Sequence, residues 1–278
     1  MHLHNPTKLQ LARELGVARS SLYYQPKLPE KDWQLKIAIE QALHDHPSYG
    51  HRRIATHLRL NKKRIRRVMK LFGLKPYRRR GKKLKKNKDI GQITAPFANL
   101  LHQLPHPDRP GLVWVSDFTH IAFRGRWVYL ATIMDLYSRE IVGWAVFTSH
   151  SVQLVLLALI DVLEKQPAAV ILHSDQGTEY KSMVYTSLAQ GAGIRLSMSH
   201  KSSPWENGYQ ESFYGKLKVD LGDTNRYQSL GELTAAIYHH IHYYNHNRIH
   251  TALKMPPAAF AARRRNQLSL TSTPIQRV

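Results

Sequence analysis

The chain has 278 residues, and its 41 Lys and Arg against 19 Asp and Glu give a formal net charge of +22. Its 42% hydrophobic content excludes wholesale disorder, while the lack of a long apolar run and of a secretory start predicts a cytoplasmic protein. The absence of cysteine excludes disulfides, thiolate zinc sites and a cysteine nucleophile.

The positive charge lies mainly in the N-terminal third. Residues 1–90 hold 24 Lys and Arg against 6 Asp and Glu, and residues 59–88 hold sixteen basic residues and no acidic one. Nucleic acid is the polyanion that such a run fits best, because Lys and Arg bind phosphates with release of counterions. The alternatives are a membrane surface or a solvated basic linker.

Two helical pairs are predicted in this region. Residues 7–24 have helix-turn-helix spacing around Gly16, within a module at 1–28, and Arg19 is its candidate DNA contact. A helix at 33–43 precedes a second pair, 49–58 and 62–72, in a basic helix-turn-helix module at 31–75, followed by a basic linker at 76–108. The candidate DNA contacts of this second module are Arg52, Arg53, Lys62, Lys63, Arg66 and Arg67.

The character of the chain changes after residue 109. Three β-rich runs predict a meander, and these are followed by alternating helices and strands and a helix from about Asn207. The runs are 112–123, 127–136 and 141–147, then helix 152–165, strand 170–172, helix 182–190 and strand 194–198. This order predicts an α/β domain at 109–225 with a mixed five-stranded sheet flanked by helices. Residues 226–278 are predicted to form a helical extension, with helices over 230–247.

Three carboxylates are candidate catalytic or metal-binding residues because of their positions in the predicted fold. Asp117 lies inside the first strand, Asp175 directly follows the fourth, and Glu211 lies on the helix after the fifth. Adjacent strand ends and a neighbouring helix can bring these side chains together, and a divalent cation such as Mg²⁺ would relieve their repulsion. Each acid taken alone could instead be a cap or surface carboxylate. The 35 residues between Asp175 and Glu211 favour the shared site.

Several ordered blocks resemble the second-frame (OrfB) transposases of the insertion-sequence-3 family, within the DDE transposase and retroviral integrase superfamily. The blocks are residues 114–120 (WVSDFTH), 173–180 (HSDQGTEY), 206–213 (ENGYQESF) with 216–218, and 244–253 leading to 256–257. Residues 49–54 and 61–74 are similar to the family's helix-turn-helix module. The resemblance extends over about residues 7–260.

This resemblance implies an RNase H-like integrase core that binds Mg²⁺ through Asp117, Asp175 and Glu211, with two ions expected and Mn²⁺ as a substitute. It implies metal-dependent cleavage at the ends of a DNA element and transfer of the 3′-OH strand to target DNA. Lys218 matches the family's basic position against end DNA, and Arg248 lies in the fourth block. The implied partners are terminal inverted repeats, target DNA, further copies in a synaptic assembly and an upstream OrfA product, at a nucleoid-associated location.

Two departures from the family pattern stand out. Residues 206–208 read Glu-Asn-Gly where Asp-Asn-Ala is usual, which makes Glu206 a rival carboxylate, and Glu179 stands where Gln is usual. Glu211 is preferred because it preserves both the gap and the following Ser-Phe.

Histidines 242, 246 and 250 recur every four residues. They could form a zinc site, interhelical hydrogen bonds or phosphate contacts.

Two other functions remain open from the sequence. One is a nuclease of the RNase H type, which would cut without joining. The other is a transposase-derived DNA-binding regulator without catalytic activity.

Overall fold

The computed structural model describes residues 7–23, 28–77, 95–102, 106–199 and 208–271. Within these ranges the α-helices are Lys8–Glu14 (α1), Leu28–Asp45 (α2), His51–His57 (α3), Lys62–Leu71 (α4), Val152–Lys165 (α5), Met183–Gly191 (α6), Gly208–Leu221 (α7), Leu230–His246 (α8) and Pro257–Thr271 (α9). The strands are Val113–Phe123 (β1), Arg126–Asp135 (β2), Ile141–Phe147 (β3), Ile171–Ser174 (β4) and Arg195–Met198 (β5). Short 3-10 helices lie at Arg19–Tyr23, Leu100–His102 and Thr224–Arg226. None of the helices in the described ranges has the length and hydrophobicity needed to span a membrane.

The five strands form one mixed sheet in the order β3-β2-β1-β4-β5. The meander pairs β1, β2 and β3 antiparallel, whereas β4 runs parallel to both β1 and β5. The parallel connections run through α5 and α6, as βα crossovers require. The predicted mixed five-stranded sheet with flanking helices is confirmed, and β1 lies at its centre.

Helices cover both faces of the sheet. One core forms between the sheet and helices α5 and α6, and a second forms between the opposite face and helices α7 and α8. Gly143 of β3 permits close approach of α5, because an added Cβ would lie 2.6 Å from the Ala158 carbonyl oxygen. Because both faces are covered, Trp114, Val115 and Ser116 of β1 are successively buried instead of alternating with exposed residues.

Helices α2, α3 and α4 have a hydrophobic core of their own, centred on Ile39, Ile54 and Ile65. This helical group contacts the segment that ends α8. The Ile249 main-chain N–H donates to the Tyr49 hydroxyl at 2.7 Å, and the His46 ring lies 2.6 Å from the Tyr243 hydroxyl. We call the contact between the α2–α4 group and the end of α8 the seam.

Two predictions near the N-terminus need correction. The second α-helix expected near Arg19 is a five-residue 3-10 helix, and the local run of two serines explains this because serine side chains compete for backbone hydrogen bonds. Pro29, interpreted as part of a linker, lies in the first turn of α2, where a missing N–H costs nothing. The turn at Gly16 is confirmed by its φ of 64°.

The C-terminal prediction is also incomplete. The helix predicted over 230–247 is confirmed as α8, and helix α9 lies in the remainder of the predicted helical extension, for which no helix bounds were predicted. Its sequence is alanine-rich and begins with proline at the first helical position, both favourable to helix. Strand β4 continues two residues beyond the predicted end, since His173 and Ser174 are buried and His173 bonds Ser197 of β5 at 2.9 Å.

Candidate active site

Asp117 lies in the middle of the central strand, opposite Thr132 of β2. Its Oδ1 accepts a hydrogen bond from the Phe118 main-chain N–H at 2.8 Å. The Tyr214 hydroxyl of α7 donates to the Asp117 carbonyl oxygen at 2.6 Å and lies 2.8 Å from the Thr132 hydroxyl. Strand and helix therefore fix the backbone that carries this carboxylate.

Asp175 begins the loop that leaves β4, next to β1 in the sheet. Its Oδ1 accepts from the Gly177 N–H at 2.9 Å, which closes a tight turn. A Cβ on Gly177 would lie 3.0 Å from Asp175 Oδ1 and 3.0 Å from Glu179 Oε2. Gly177 therefore provides the space in which these two carboxylates pack.

Glu211 is exposed in the first turn of α7, and its neighbour Gln210 anchors that turn to the sheet. Gln210 is fully buried, and its Nε2 donates to the carbonyl oxygens of Val115 at 2.6 Å and Thr132 at 3.0 Å. Gln210 was not among the site residues predicted from the sequence. The sequence pattern that could have indicated its role is a single amide side chain on the buried face of α7. The residues that share this face at helical spacing, Phe213, Leu217 and Leu221, are apolar.

The pKa of Asp117 shows that these acids interact. Burial and then the charge of Asp175 raise this pKa to about 7, Glu211 adds a smaller increase, and the Phe118 N–H opposes them. Burial also raises the pKa of Asp175, with the Gly177 N–H opposing it and Glu179 raising it further. The Asp117 carboxylate at the centre of the sheet is thus within electrostatic range of Asp175 and Glu211. We call Asp117, Asp175 and Glu211 the carboxylate site.

The carboxylate site is not drawn together to metal-ligand distances. Within the described parts of the chain, no three Asp, Glu or His side chains are close enough to hold a metal ion. Asp117 and Asp175 are largely enclosed, whereas Glu211 faces solvent. The rival Glu206 lies outside the described residues.

Glu179, one of the two departures from the family pattern, is a buried acid beside the carboxylate site. It is 6% exposed, and its Oε1 lies 3.0 Å from His150 Nε2. The Thr178 hydroxyl donates to the same oxygen at 3.1 Å. The His150 ring in turn packs 4.7 Å from the ring of Phe118, next to Asp117 in the chain. Glu179 therefore has partners of its own and also influences Asp175.

The basic residues predicted to contact DNA fall into two groups. Those that are exposed and make no ion pair among the described residues lie on the first 3-10 helix, on α3 and along the outer face of α4; they are Arg19, Arg52, Lys62, Lys63 and Arg66. Arg53 is half-buried at the seam.

Two of the predicted DNA contacts are bound within the protein. Arg67 donates to both carboxylate oxygens of the buried Asp32, with its NH1 to Oδ2 distance at 2.6 Å. Arg248 is only 3% exposed and binds Asp220 at 2.7 Å and the Ser48 hydroxyl at 2.9 Å. The prediction that Arg248 contacts DNA therefore needs correction, because its charge is already paired with Asp220 inside the protein.

Lys218 follows Glu211 by two helical turns and so shares its face of α7. It lines a cavity of about 450 Å³ together with His120 and Trp127. Burial and then the charge of Lys218 lower the pKa of His120. This open cationic surface lies on the same side of α7 as the carboxylate site.

The three periodic histidines do not form one cluster. The rings of His242 and His246 are 4.5 Å apart, but His250 lies beyond α8 in a β-bridge with Met255. No three potential ligands meet in the described ranges, so the zinc alternative has no geometric support there.

Known proteins are similar to this chain in sequence and in fold. Residues 107–204 and 192–257 match two families, each described as an integrase core domain. The chain is 33% identical to a protein of insertion element IS600 from Shigella sonnei, over 90% of this chain and 97% of the relative. It is 32% identical to the transposase for insertion sequence element IS904 from Lactococcus lactis, over 91% and 95%.

Two more comparisons bear on the family and fold. The transposase InsF for insertion sequence IS3A from Escherichia coli is 33% identical over 55% of this chain and 54% of that protein. A chain of the simian T-cell lymphotropic virus intasome has a TM-score of 0.50 with 15% identity, over 85% of this chain and 76% of that chain. The integrase-core fold of the central sheet and the match to full-length relatives lead to one conclusion: this chain belongs to the insertion-sequence-3 family of DNA transposases.

Proposed function

We propose that Asp117, Asp175 and Glu211 are the catalytic residues of a transposase that cuts DNA at the ends of its element and joins the 3′-OH strand to target DNA. The raised pKa of Asp117, caused by burial and by its two acidic neighbours, is the observation that supports this most directly. Enzymes concentrate carboxylates with perturbed pKa values at their catalytic sites.

The donor set suits Mg²⁺. The three side chains offer hard carboxylate oxygens, and the second oxygen of Asp117 and of Asp175 has no hydrogen-bond partner among the described residues. Two Mg²⁺ ions, with Mn²⁺ as a substitute, would supply activation of the attacking oxygen and neutralise charge on the reacting phosphate. Glu211 would complete the ligand set from its exposed position.

The protein's own residues position the reaction. Gln210 holds the start of α7 against β1 and β2, and Tyr214 holds the Asp117 backbone. Lys218 would bind a phosphate of the end DNA beside the site. In cleavage, the oxygen of water forms a bond to phosphorus and the element's 3′-oxygen leaves; in joining, that 3′-OH attacks a target phosphate and displaces another 3′-oxygen. Neither step needs a covalent protein intermediate.

The exposed cations would bind DNA outside the site. We propose phosphate contacts for Arg19, Arg52, Lys62, Lys63 and Arg66, with residues 31–75 as a DNA-binding module and 109–225 as the catalytic core. The hydrophobic core shared by α2, α3 and α4 supports this division. We further propose that the active form is an assembly of several copies at paired element ends, with the OrfA product as a partner.

A strand-joining assay tests the proposal. The purified protein is incubated with a labelled duplex of the gene-flanking inverted-repeat end and a target duplex, with Mg²⁺, with Mn²⁺ and without metal. Asp175→Asn removes a site charge, and Glu164→Gln is the matched control because Glu164 is an exposed acid on α5. We expect metal-dependent joining by the wild type and the control, and a loss on the order of a thousandfold in Asp175→Asn.

The other outcomes distinguish the rival functions. Metal-dependent cleavage without joining indicates the nuclease. Tight end binding without either reaction, also in a fusion with OrfA, indicates the regulator. Joining that persists in Asp175→Asn contradicts the assigned site.

A further inference from the structure

A second cluster of like charges lies at the seam, on the side of α7 away from Lys218. A cavity of about 540 Å³ opens between the start of α3 and α7, and its lining includes Gly50, Arg52, Arg53, Lys216, Val219 and Arg248. We call this cavity the seam pocket. It is bordered by two elements with separate hydrophobic cores, because α3 belongs to the N-terminal helical group and α7 packs on the sheet.

The positive charges in the seam pocket are only partly balanced by the protein, since one acid, Asp220, acts on Arg53, Lys216 and Arg248. Asp220 is the neighbouring acid, and it already binds Arg248 at 2.7 Å. Neither Arg53 nor Lys216 has an ion-pair partner among the described residues, and Lys216 donates to the neutral Ser212 hydroxyl at 2.9 Å. Two cations thus face one cavity without a carboxylate of their own, which is costly unless an anion binds.

The electrostatics of the neighbouring groups agree with this geometry. Burial and then Arg53 and Arg248 lower the pKa of Lys216 to about 8, so its charge is maintained at neutral pH against repulsion. Burial and Arg248 also lower the pKa of Arg53.

Arg53 also has an unused donor. Its Nε is buried without a hydrogen-bond partner in the described structure. Its guanidinium centre lies 5.8 Å from the centre of the Tyr49 ring, and the Tyr49 hydroxyl accepts from the Ile249 N–H. Arg53 is therefore held against the Tyr49 ring and also lines the seam pocket.

We propose that the seam pocket binds one backbone phosphate of the duplex that the protein cuts, held jointly by Arg53 and Lys216. This inference rests on the proposed function, since it takes DNA as the substrate. A single phosphate bound by both residues would link the N-terminal helical group to the catalytic helix. DNA binding would then stabilise the contact between the N-terminal helical group and α7.

The salt dependence of DNA binding tests whether the two residues share one phosphate. Affinity for the element-end duplex is measured by fluorescence anisotropy at several KCl concentrations, for wild type, Arg53→Gln, Lys216→Gln and the double variant. Lys165→Gln is the control, because Lys165 lies on α5 and pairs with Asp161. We expect each single variant to bind about tenfold more weakly and the slope of log K against log salt to become shallower by about 0.9.

The double variant decides between one phosphate and two. If both residues hold the same phosphate, the double variant loses little more than either single variant. Additive losses with a slope change of about 1.8 would mean separate phosphates and overturn the proposal. Unchanged slopes in both single variants would overturn it as well. These results are independent of the strand-joining assay, in which failure of the wild type would refute the proposed function instead.

Thermal unfolding tests whether the variant is folded. It also distinguishes binding of a DNA phosphate in the seam pocket from binding of a free anion. Without phosphate, Lys216→Gln should unfold at the same temperature as wild type or higher, because it removes cation repulsion. Inorganic phosphate at constant ionic strength should stabilise wild type more than Lys216→Gln, and the duplex should abolish that difference. A phosphate effect that persists at saturating duplex would mean a site for free anions and overturn the proposal.

Discussion

The carboxylate site and the seam pocket both gather like charges, but they differ in sign and in what supports them. The carboxylate site is built on the central strand, the loop after β4 and a helix anchored by Gln210, so one packed sheet holds it. The seam pocket lies between two hydrophobic cores, and the helical elements that carry these cores meet through polar contacts such as His46 with Tyr243. The first site is therefore suited to fixed geometry, and the second to coupling between two parts of the protein.

The largest expected effect comes from Asp117→Asn, which removes the central acid. Joining activity should fall on the order of a thousandfold. The metal-free variant should nevertheless be more stable than the metal-free wild type. A pKa of Asp117 near 7 means that the folded state binds more protons than the unfolded state between about pH 4 and pH 7, so wild-type stability falls as pH rises through that window.

Urea unfolding at pH 5 and pH 8 in metal-free buffer measures this. At pH 8 Asp117→Asn should be more stable than wild type, by about 2 kcal/mol, whereas at pH 5 the gain should be much smaller. The control Glu164→Gln should follow wild type at both values. Equal stability of Asp117→Asn and wild type at pH 8 would show that the acids do not strain the site.

An intermediate effect is expected from Gln210→Ala, which leaves every carboxylate in place. The variant removes the two hydrogen bonds that hold α7 to β1 and β2, so joining should fall about tenfold to a hundredfold and stability by about 1–3 kcal/mol. Affinity for the end duplex should change little, which separates positioning from binding. Gln228→Ala, at an exposed glutamine, is the control. If Gln210→Ala joins DNA at the wild-type rate, Gln210 does not position the site.

The smallest effect is expected from Glu179→Gln, which restores the residue usual in the family. It removes one of the charges that raise the pKa of Asp175 and keeps the size of the side chain. Joining should change by no more than about threefold, since a shift of one pKa unit corresponds to about 1.36 kcal/mol and Glu179 is not the main cause of the shift. The rate should be measured from pH 6 to pH 9. A loss as large as that of Asp117→Asn would place Glu179 among the catalytic residues.

Much of the catalytic region could be predicted from sequence because its signals are local. The alternation of β1 to β3 and the apolar helix α5 define their own bounds. The motif spacing predicted a site at Asp117, Asp175 and Glu211, and this assignment stays a prediction. The roles of Gln210, Arg248 and Lys216 could not be predicted, because each depends on a partner distant in the chain. Gln210 bonds residues 95 and 78 positions away, and Arg248 bonds Ser48. Only the fold reveals which cation faces solvent and which faces another part of the protein.

The central claim is that Asp117, Asp175 and Glu211 form one divalent-metal site, and calorimetric titration with Mg²⁺ and Mn²⁺ tests it most directly. Wild type, Asp117→Asn, Glu211→Gln and the control Glu164→Gln are compared at pH 8. Wild type and control should bind the metals alike, and each site variant should bind at least about tenfold more weakly. Wild-type affinity in Glu211→Gln would show that the exposed glutamate is not a ligand and contradict the assignment.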